Sequence, residues 1–331
     1  MKLLLTGASG TFGSALMKAL LDDPTTLKIV AYSRNESAQA RLRAEVANDA
    51  RVVWILGDVR DEERLYDALH RVDTIIHAAA LKRVDDNDPM ELYRTYIDGT
   101  MNVVRSAFKR NVPKVLLLST DKACAPATAY GASKLAAEFY AIYANRYGHP
   151  HTRISVTRWG NVLGSAGSVI HTWRRQTQRG DPLTITDPTA SRFLMTLDQA
   201  LAFTRQVVGV MNGGEIYIPD LPSCLVGDLA DAVLEEQGAV KNYPTNVIGL
   251  RAGEKRHEIL LSGDESSRAV HLPKRGHYII KPGNPSWTGL FSPGKAFGDQ
   301  ISPVRPGFEL GSSWARRLLL SDLRPMLKDI R

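Results

Sequence analysis

The sequence of 331 residues predicts an α/β fold, in which a doubly wound parallel sheet is followed by a smaller, irregular α/β lobe. In the first half, short apolar runs alternate with amphipathic or charged stretches. A glycine-rich segment separates the first apolar run from the first helical stretch. After about residue 160 the alternation weakens, and prolines and glycines cluster. We therefore expect a Rossmann-like domain over residues 1–160, to which later segments return, and a ligand-binding lobe over residues 161–331.

Composition and charge exclude several classes of protein. Hydrophobic residues make up 44% of the chain and charged residues 23%, as in a globular protein. The formal net charge of +7 comes from scattered basic residues, which favours a phosphate-rich small ligand or a merely basic surface over nucleic acid. Cys124 and Cys224 are too few for a disulfide framework or a four-cysteine zinc site. No apolar stretch has the length of a membrane span or signal sequence, so we expect a cytoplasmic protein without metal.

Six apolar runs are predicted to form the parallel strands. The stretches 61–69, 90–109 and 133–147 are predicted to be helices between them. The runs cover residues 3–5, 29–32, 52–56, 74–76, 115–118 and 154–156.

A glycine fingerprint follows the first predicted strand. Gly7, Gly10 and Gly13 are spaced G-x-x-G-x-x-G between a strand and a helix. In this context backbone N–H groups and the helix N-terminus can bind a pyrophosphate. A glycine-rich turn without a ligand is the alternative. The expected cofactor contacts are Gly7, Ser9, Gly10, Thr11, Phe12 and Gly13.

The residues after the second and third strands favour NADP over NAD. NAD-selective sites carry an acidic residue at the end of the second strand, whereas this chain has Ser33 and Arg34. Arg34 offers a planar cation to a 2′-phosphate and Ser33 a hydroxyl donor; a solvated surface arginine is the alternative. Asp58 is expected to accept a hydrogen bond from the adenine amino group, and Val59 to pack on the adenine ring.

Small residues follow the fourth predicted strand. Ala78, Ala79 and Ala80 would let the cofactor backbone approach closely. Lys82 is expected to reach a phosphate or the substrate, with a plain surface lysine as the alternative.

The densest group of reactive side chains lies at the end of the fifth predicted strand, in the run 119–123, Ser-Thr-Asp-Lys-Ala. Doubly wound sheets bind their ligands at this edge. Tyr130 and Lys134 are four residues apart on a predicted helix and share a face. An ammonium beside a phenol lowers the phenol pKa, so Tyr130 is predicted to act as a general base. This spacing is common by chance, but together with the glycine fingerprint it indicates an active site.

These segments together resemble UDP-N-acetylglucosamine 4,6-dehydratases of the extended short-chain dehydrogenase/reductase superfamily. The likeness is strongest to the inverting type that opens pseudaminic acid biosynthesis, and it covers nearly the whole chain. Epimerases that resemble this fold usually have only a small hydroxyl residue where this chain has the Thr120-Asp121-Lys122 run. The segments that carry the resemblance are 57–61, 77–82, 119–123, 158–165, 186–188, 192–193 and 249–258.

The resemblance implies a reaction cycle. Tyr130, helped by Thr120, would remove the proton of the 4-hydroxyl while hydride passes from carbon 4 to NADP⁺. Lys122 would take the proton from carbon 5, Asp121 would protonate the leaving 6-hydroxyl, and hydride would return to carbon 6. NADP is then regenerated and is expected to stay tightly bound. Because burial shifts the pKa of Asp121 up and that of Lys122 down, whereas their pairing opposes both shifts, we expect substrate binding to switch the pair into its working state.

The resemblance also implies further binding residues and a homo-oligomer. Arg192 and Arg251 would meet the diphosphate of a UDP-sugar, with ion pairs within the lobe as the alternative. His257 and Glu258 are too few for a metal site and are predicted to be structural. The expected substrate contacts are Lys82, Thr120, Asn161, Arg192, Arg251 and Glu254, and further cofactor contacts are Ser119, Tyr130, Lys134 and Val162.

The chain departs from the family pattern most clearly at Tyr96, where asparagine is usual. In relatives that asparagine holds a helix kink and a water that leads protons to the active-site lysine, and the hydroxyl of Tyr96 is one way to rebuild such a relay. Two other functions stay open: a UDP-sugar 4-epimerase or reductase, and a catalytically inactive NADP-sensing protein. The other departures are Asp85, Asp86, Ala166 and Ala252.

Overall fold

Strands and helices alternate along the first half of the chain. The structure, a computed structural model, describes residues 1–81, 88–147, 151–165, 167–239, 242–283, 301–328 and 330. The strands are β1 Lys2–Thr6, β2 Lys28–Ser33, β3 Val52–Leu56, β4 Thr74–His77, β5 Lys114–Thr120, β6 Arg153–Trp159, β7 Asn161–Val162, β8 Leu183–Ile185, β9 Ser191–Met195, β10 Ile216–Pro219, β11 Ser223–Leu225, β12 Thr245–Val247, β13 Ile259–Leu261, β14 Ala269–Leu272, β15 His277–Ile280, β16 Ser302–Pro303 and β17 Leu310–Gly311. The α-helices are α1 Thr11–Leu21, α2 Glu36–Glu45, α3 Glu62–Ala68, α4 Pro89–Tyr93, α5 Gly99–Arg110, α6 Ala129–Ala144, α7 Val169–Arg179, α8 Leu197–Val210, α9 Val226–Glu236, α10 Gly263–Ser266 and α11 Leu320–Lys328.

One large sheet organises the molecule. Within the described residues its strand order is β16-β14-β15-β10-β6-β5-β4-β1-β2-β3. The strands from β3 to β10 run parallel, whereas β15, β14 and β16 add an antiparallel edge. The order β3-β2-β1-β4-β5-β6 is that of a dinucleotide-binding sheet, which confirms the predicted fold class. The strand order reverses between β1 and β4, so their carboxyl ends border the crevice where such sheets bind ligands.

Helices cover both faces of this sheet, which explains why its strands read as continuous apolar runs. In β1 the side chains of Leu3 and Leu5 join the core on one face, and that of Leu4 joins the core on the other. This alternation follows from the two-residue period of a strand. All three side chains are fully buried, and each burial contributes about 2 kcal/mol to folding.

The second half of the chain has an apolar cluster of its own around the buried Trp173 of α7. The indole Nε1 of Trp173 donates a hydrogen bond to the carbonyl of Thr184 at 2.8 Å. Strands β7, β9 and β11 form a small separate sheet, while β10, β14, β15 and β16 join the large sheet. The division into two lobes near residue 160 stays a prediction. No helix in the described ranges combines the length and apolarity needed to cross a bilayer.

A buried arginine connects β6 to the second half of the chain. Arg158 is fully buried and forms ion pairs with Glu138 of α6 at 2.6 Å and Glu265 of α10 at 2.9 Å. Its guanidinium also donates to the carbonyl of Leu260 at 3.0 Å. These partners offset the cost of removing the charge from water. The network fixes α6 against the segment that includes β13 and α10.

Candidate active site

The reactive run after β5 lies at the carboxyl edge of the large sheet. Thr120 ends the strand, and Asp121–Ala123 forms a single 3-10 turn directly after it. The Thr120 hydroxyl donates to Asp121 Oδ1 at 2.8 Å and accepts from the backbone N–H of Lys122. The turn therefore fixes a hydroxyl, a carboxylate and an amine in sequence at one point of the sheet edge.

Helix α6 packs closely against this turn. Its N-terminus is capped by Thr128, whose hydroxyl accepts from the N–H of Gly131 at 3.1 Å. A Cβ on Gly131 would lie only 2.3 Å from the carbonyl oxygen of Lys122. Glycine is therefore needed for this close approach, which brings Tyr130 and Lys134 to the turn.

Asp121 and Lys122 form an ion pair at the centre of the site. Asp121 is fully buried, and its Oδ1 accepts from Lys122 Nζ at 2.9 Å. Its Oδ2 is buried without a hydrogen-bond partner among the described residues. Lys122 Nζ also donates to Asn161 Oδ1 at 3.3 Å, and 35% of the Lys122 side chain is exposed. The amine therefore lies between the sheet edge and the second half of the chain, buried among its partners while part of the side chain is exposed.

Electrostatics keep the amine of Lys122 protonated. Burial lowers the pKa of Lys122, but the negative charges of Asp121 and Glu258, with the hydrogen bond to Asp121, outweigh it and raise that pKa. The effect of the ion pair on the pKa of Lys122 is thus larger than that of burial, and Lys122 holds its proton. To act as a base, it must first lose this proton.

The sequence predicted that the pKa of Tyr130 is lowered, and for the protein alone this prediction is wrong. Burial and the charge of Asp121 raise the pKa of Tyr130, and a hydrogen bond with Thr120 offsets this only partly. The ammonium of Lys134 instead donates to the carbonyl of Leu118 at 2.8 Å. Burial also lowers the pKa of Lys134 to about 8, so its ammonium loses its proton more readily than that of an exposed lysine.

Tyr96 lies against both of these residues. It belongs to the π-helical turn Arg94–Asp98, and its ring meets that of Tyr130 edge-on, with centroids 5.4 Å apart. Lys134 Nζ lies 5.0 Å from the centre of the Tyr96 ring. The Tyr96 hydroxyl accepts from the N–H of Leu81 at 3.0 Å. The ring of Tyr96, and not its hydroxyl, therefore faces the active-site lysine, which does not support the hydroxyl relay.

The glycine fingerprint forms a tight turn against the end of β4. Gly7 has φ +69°, and a Cβ there would lie 2.7 Å from the carbonyl oxygen of Ala78. A Cβ on Gly13 would lie 2.3 Å from the carbonyl oxygen of Gly7. The hydroxyl of Thr6 accepts from the N–H groups of Ala78 and Ala79, both at 3.1 Å. These contacts place the turn, Ala78 and Ala79 in one crevice, next to Ala80.

The N-terminus of α1 has the properties of an anion site. The helix begins at Thr11, Gly10 caps it without a side-chain hydrogen bond, and no acidic residue lies in its first turn. Its N–H groups and dipole favour a phosphate. Phe12 packs on Trp159, with ring centroids 5.2 Å apart, which fixes the first turn of α1 close to Ser9.

The predicted cofactor residues Ser33, Arg34 and Asp58 lie together, and all three already have protein partners. The buried hydroxyl of Ser33 accepts from Gln39 Nε2 at 2.9 Å. Asp58 Oδ2 lies 2.7 Å from Arg60 Nη2 and 3.4 Å from Arg34 Nη1. Burial opposes ionisation of Asp58, but hydrogen bonds from Arg60 and the charges of both arginines lower its pKa. The guanidinium of Arg34 is half-exposed at the end of β2 and makes the longer of these two contacts with the Asp58 carboxylate.

Three further predicted cofactor residues differ in exposure. Val59 is buried in the apolar core near Gly99, which limits the surface it offers to an adenine. Ser119 is also buried, and its hydroxyl has no hydrogen-bond partner among the described residues. Val162 lies in β7, partly buried.

Glu254 brings the predicted substrate residues Arg192 and Arg251 together through one ion pair and one backbone hydrogen bond. Arg192 Nη2 lies 2.7 Å from Glu254 Oε1, which also accepts from Thr186 Oγ1 at 3.1 Å. The backbone N–H of Arg251 donates to Glu254 Oε2 at 3.2 Å. Arg192 therefore forms an ion pair within this part of the chain, which was the alternative to binding the diphosphate. Lys82 lies outside the described residues, as do Asp85, Asp86 and Ala166.

Glu258 lies in the site, which the sequence did not predict. Its Oε1 is 3.7 Å from Lys122 Nζ, and only 5% of its side chain is exposed. The neighbouring His257 is structural, because its Nδ1 is 2.8 Å from the hydroxyl of Ser191. The sequence did carry one indication: Glu258 directly precedes the apolar strand β13, and a carboxylate buried at such a position requires a partner of opposite charge. Across the described ranges, no group of three or more histidine, cysteine or acidic side chains could hold a metal.

Comparison with known proteins agrees with this geometry. Residues 3–280 match the family described as polysaccharide biosynthesis protein. The inverting UDP-N-acetylglucosamine 4,6-dehydratase of Campylobacter jejuni is 41% identical over 85% of this chain and 82% of the relative. The UDP-glucose 4-epimerase of Rickettsia prowazekii is 37% identical over 84% of this chain and 82% of the relative.

Solved structures share the fold over most of the chain. The protein Pen of Bacillus thuringiensis superposes with a TM-score of 0.87 at 30% identity, over 99% of this chain and 98% of that protein. The dTDP-glucose 4,6-dehydratase DesIV of Streptomyces venezuelae, solved with NAD bound, gives a TM-score of 0.70 at 25% identity, over 77% of this chain and 86% of that protein.

Proposed function

We propose that this chain, which belongs to the polysaccharide biosynthesis protein family, is a 4,6-dehydratase of UDP-N-acetylglucosamine or a closely related nucleotide sugar. The observation that carries the proposal is the buried Asp121 in contact with Lys122, directly after Thr120 and next to Tyr130. Water elimination needs an acid and a base at neighbouring carbons, in addition to the group that deprotonates the 4-hydroxyl. An epimerase needs only the last of these.

A nicotinamide dinucleotide is the proposed cofactor, held in the crevice between β1 and β4. The uncapped N-terminus of α1 suits its pyrophosphate, and the turn at Gly7 and Gly13 leaves no room for side chains. When bound, its oxidised nicotinamide supplies the hydride acceptor and a positive charge that favours the Tyr130 phenolate. Arg34 supports NADP as the preferred form, although DesIV was solved with NAD.

Tyr130 acts first in the proposed cycle. Its phenolate takes the proton of the 4-hydroxyl, and the Thr120 hydroxyl stabilises that phenolate once its proton turns from Asp121 Oδ1 to Tyr130. Because burial raises the pKa of Tyr130, the phenolate is a strong base once it forms. Loss of hydride from carbon 4 then leaves a 4-ketone, which acidifies the hydrogen on carbon 5.

Asp121 and Lys122 carry out the elimination. Lys122 takes the proton from carbon 5, and Asp121 gives a proton to the departing 6-hydroxyl. Lys122 Nζ lies 2.9 Å from Asp121 Oδ1 in the ion pair. Conversion of this pair into a neutral amine and a carboxylic acid moves one proton between them and adds none. A bound sugar that excludes water favours the neutral pair, because burial disfavours both charged forms. Asn161 accepts from Lys122 Nζ and holds the amine in place.

The reaction in heavy water tests this function. Incubation with UDP-N-acetylglucosamine is expected to yield a product that has lost one water and carries deuterium at carbon 5, as seen by mass spectrometry and NMR. A product of unchanged mass with an inverted carbon 4 would instead establish an epimerase.

Two variants separate the dehydratase from the epimerase, which the 37% identical relative keeps as the second candidate. Asp121→Asn and Lys122→Ala are expected to reduce water loss by about a hundredfold or more, while cofactor reduction by the substrate persists. An epimerase would keep its turnover in both variants. Glu235→Gln is a matched control, because this surface carboxylate pairs with Arg324 on the face formed by α9 and α11.

We further propose a cytoplasmic homo-oligomer, and light scattering of the purified protein tests its association. An inactive NADP-sensing protein is less well supported, because Tyr130 and Lys134 are both present. Absence of turnover with every UDP- and dTDP-hexose would favour it.

A further inference from the structure

Glu258 is a second buried carboxylate next to the amine of Lys122. Its Oε1 lies 3.7 Å from Lys122 Nζ, and its Oε2 lies 3.8 Å from Lys255 Nζ. Its Oε2 is also buried without a hydrogen-bond partner among the described residues. A buried acceptor left unpaired costs about 1–3 kcal/mol. Because Oε1 faces Lys122 and Oε2 accepts no hydrogen bond from any described residue, the carboxylate of Glu258 is an available place for a proton beside the reactive amine.

Lys122 has a proton too many for its role as a base. It lies between Asp121 and Glu258, and both negative charges hold its ammonium form. Asp121 can take that proton, but must then pass it to the departing hydroxyl. A second acceptor would leave the amine neutral until it takes the proton of carbon 5.

We propose that Glu258 is the proton acceptor that converts Lys122 from ammonium to amine before carbon 5 is deprotonated. This inference rests on the proposed dehydratase function. Glu258 acts through Lys122 and is therefore a positioning residue for the proton, not a group that touches the sugar.

The proton balance closes over one turnover. The N–H bond of the Lys122 ammonium breaks and an O–H bond forms on Glu258, which leaves a neutral amine and a neutral acid. Lys122 then takes the proton of carbon 5 and later returns it there. Finally Glu258 gives its proton back to Lys122. Asp121 receives the proton that it gives to the departing 6-hydroxyl from Tyr130, which took it from the 4-hydroxyl, through the hydroxyl of Thr120 that contacts both groups. No oxidant, reductant or further reactant is required.

The surroundings of Glu258 suit a transient proton. Asp121 and Lys122 face it from the turn after β5, Arg192 from β9, and Lys255 from its own segment. Burial and the charge of Asp121 raise the pKa of Glu258 above its ordinary value, against the opposing effect of the three cations. A raised pKa makes the carboxylate a better proton acceptor. Ser312 fixes the backbone, since its hydroxyl accepts from the N–H of Glu258 at 2.8 Å.

The test compares Glu258→Gln with wild type as a function of pH, in the intact enzyme with its cofactor. Rapid mixing with UDP-N-acetylglucosamine separates cofactor reduction from water loss. Cofactor reduction is expected to stay within about twofold of wild type. Water loss is expected to fall at least about tenfold near neutral pH and to recover as pH rises, because Lys122 must then lose its proton to solvent. The wild-type rate should vary little over the same range, because Glu258 takes the proton of Lys122 without solvent.

Glu258→Asp is the conservative variant and Glu235→Gln the surface control. The aspartate is expected to restore water loss to within about tenfold of wild type with a flat pH profile, and it serves as the main test if the glutamine variant does not fold. A loss of equal size at every pH, or an aspartate variant that behaves like the glutamine one, would overturn the role. If wild type itself removes no water from the sugar, the proposed function has failed. If wild type removes water but the Glu258 variants do not behave as expected, only this inference has failed.

Discussion

Lys134 shows how one buried side chain links stability to pH. Its pKa of about 8, against an ordinary 10.5, corresponds to about 3 kcal/mol. Because the folded-state pKa is depressed, the unfolded chain binds more protons between these values, so this group favours folding increasingly as pH rises from 8 to 10.5. Below pH 8 the native state must hold a buried charge.

The Lys134→Met variant of the cofactor-free protein tests this relation. The methionine cannot be charged, so its free energy of unfolding lacks this contribution at every pH. Relative to the variant, wild type is expected to gain about 3 kcal/mol between pH 7 and pH 10.5. Urea unfolding of both proteins at the two pH values measures the difference. A constant difference between the proteins would show that Lys134 is charged and well solvated in the native state.

Tyr96 shows what a single departure from a family pattern can and cannot tell. The sequence identified the position as unusual, but the expected hydroxyl relay does not match the contacts. The hydroxyl is hydrogen-bonded to Leu81, and the ring packs on Tyr130 near Lys134. Side-chain direction in a π-helical turn depends on the extra residue in that turn, which a local pattern of residue types does not reveal.

At the scale of elements, the approach of α6 to the turn after β5 determines the geometry of the site. In Gly131→Ala the new Cβ would meet the carbonyl oxygen of Lys122 at 2.3 Å, so α6 must shift and carry Tyr130 with it. A displacement of about 1 Å in a catalytic group costs roughly a hundredfold in rate. Turnover of UDP-N-acetylglucosamine measures this loss.

Gly209→Ala is the matched control for that substitution. Gly209 lies in α8 with open space around its Cα, so alanine there is expected to stabilise the protein by about 1 kcal/mol and leave turnover unchanged. If Gly131→Ala retained wild-type turnover while folding normally, the close approach of α6 would have no role in catalysis.

The elements of the first half were predictable because each carries its signal locally. The runs at 3–5 and 154–156 are buried on both faces, and strands of that kind read as continuous apolar sequence. The antiparallel edge of β14, β15 and β16 was not predicted. β14 and β15 pair across a short turn, but β15 joins the sheet by pairing with the distant β10, and β16 is only two residues long, so no periodicity marks it.

At the scale of the whole molecule, the sequence located the site but not its charge balance. Thr120, Asp121, Lys122 and Tyr130 were placed together because strand ends and helical spacing fix their positions. The involvement of Glu258 depends on how the segment before β13 packs against β5, through long-range contacts such as Arg158 with Glu265. The same packing brings Glu258 and Asp121 to Lys122, and because their negative charges outweigh the effect of burial, the pKa of Lys122 is raised.

Cofactor choice is also a property of the whole molecule, because a ligand that binds only the folded state stabilises all of it. At a hundred times its dissociation constant, such a ligand adds about 2.7 kcal/mol to the free energy of unfolding. If Arg34 meets the 2′-phosphate, Arg34→Gln removes a charge-assisted hydrogen bond worth about 1.5–3 kcal/mol. NADP should then bind roughly tenfold to a hundredfold more weakly, while NAD binding changes little. Thermal unfolding of cofactor-stripped protein with each dinucleotide measures both effects.

Arg41→Gln, on the exposed surface of α2, is the control and should leave the binding of both dinucleotides unchanged. Equal stabilisation of wild type by NAD and NADP would instead mean that Arg34 serves only to pair with Asp58, as it does at 3.4 Å.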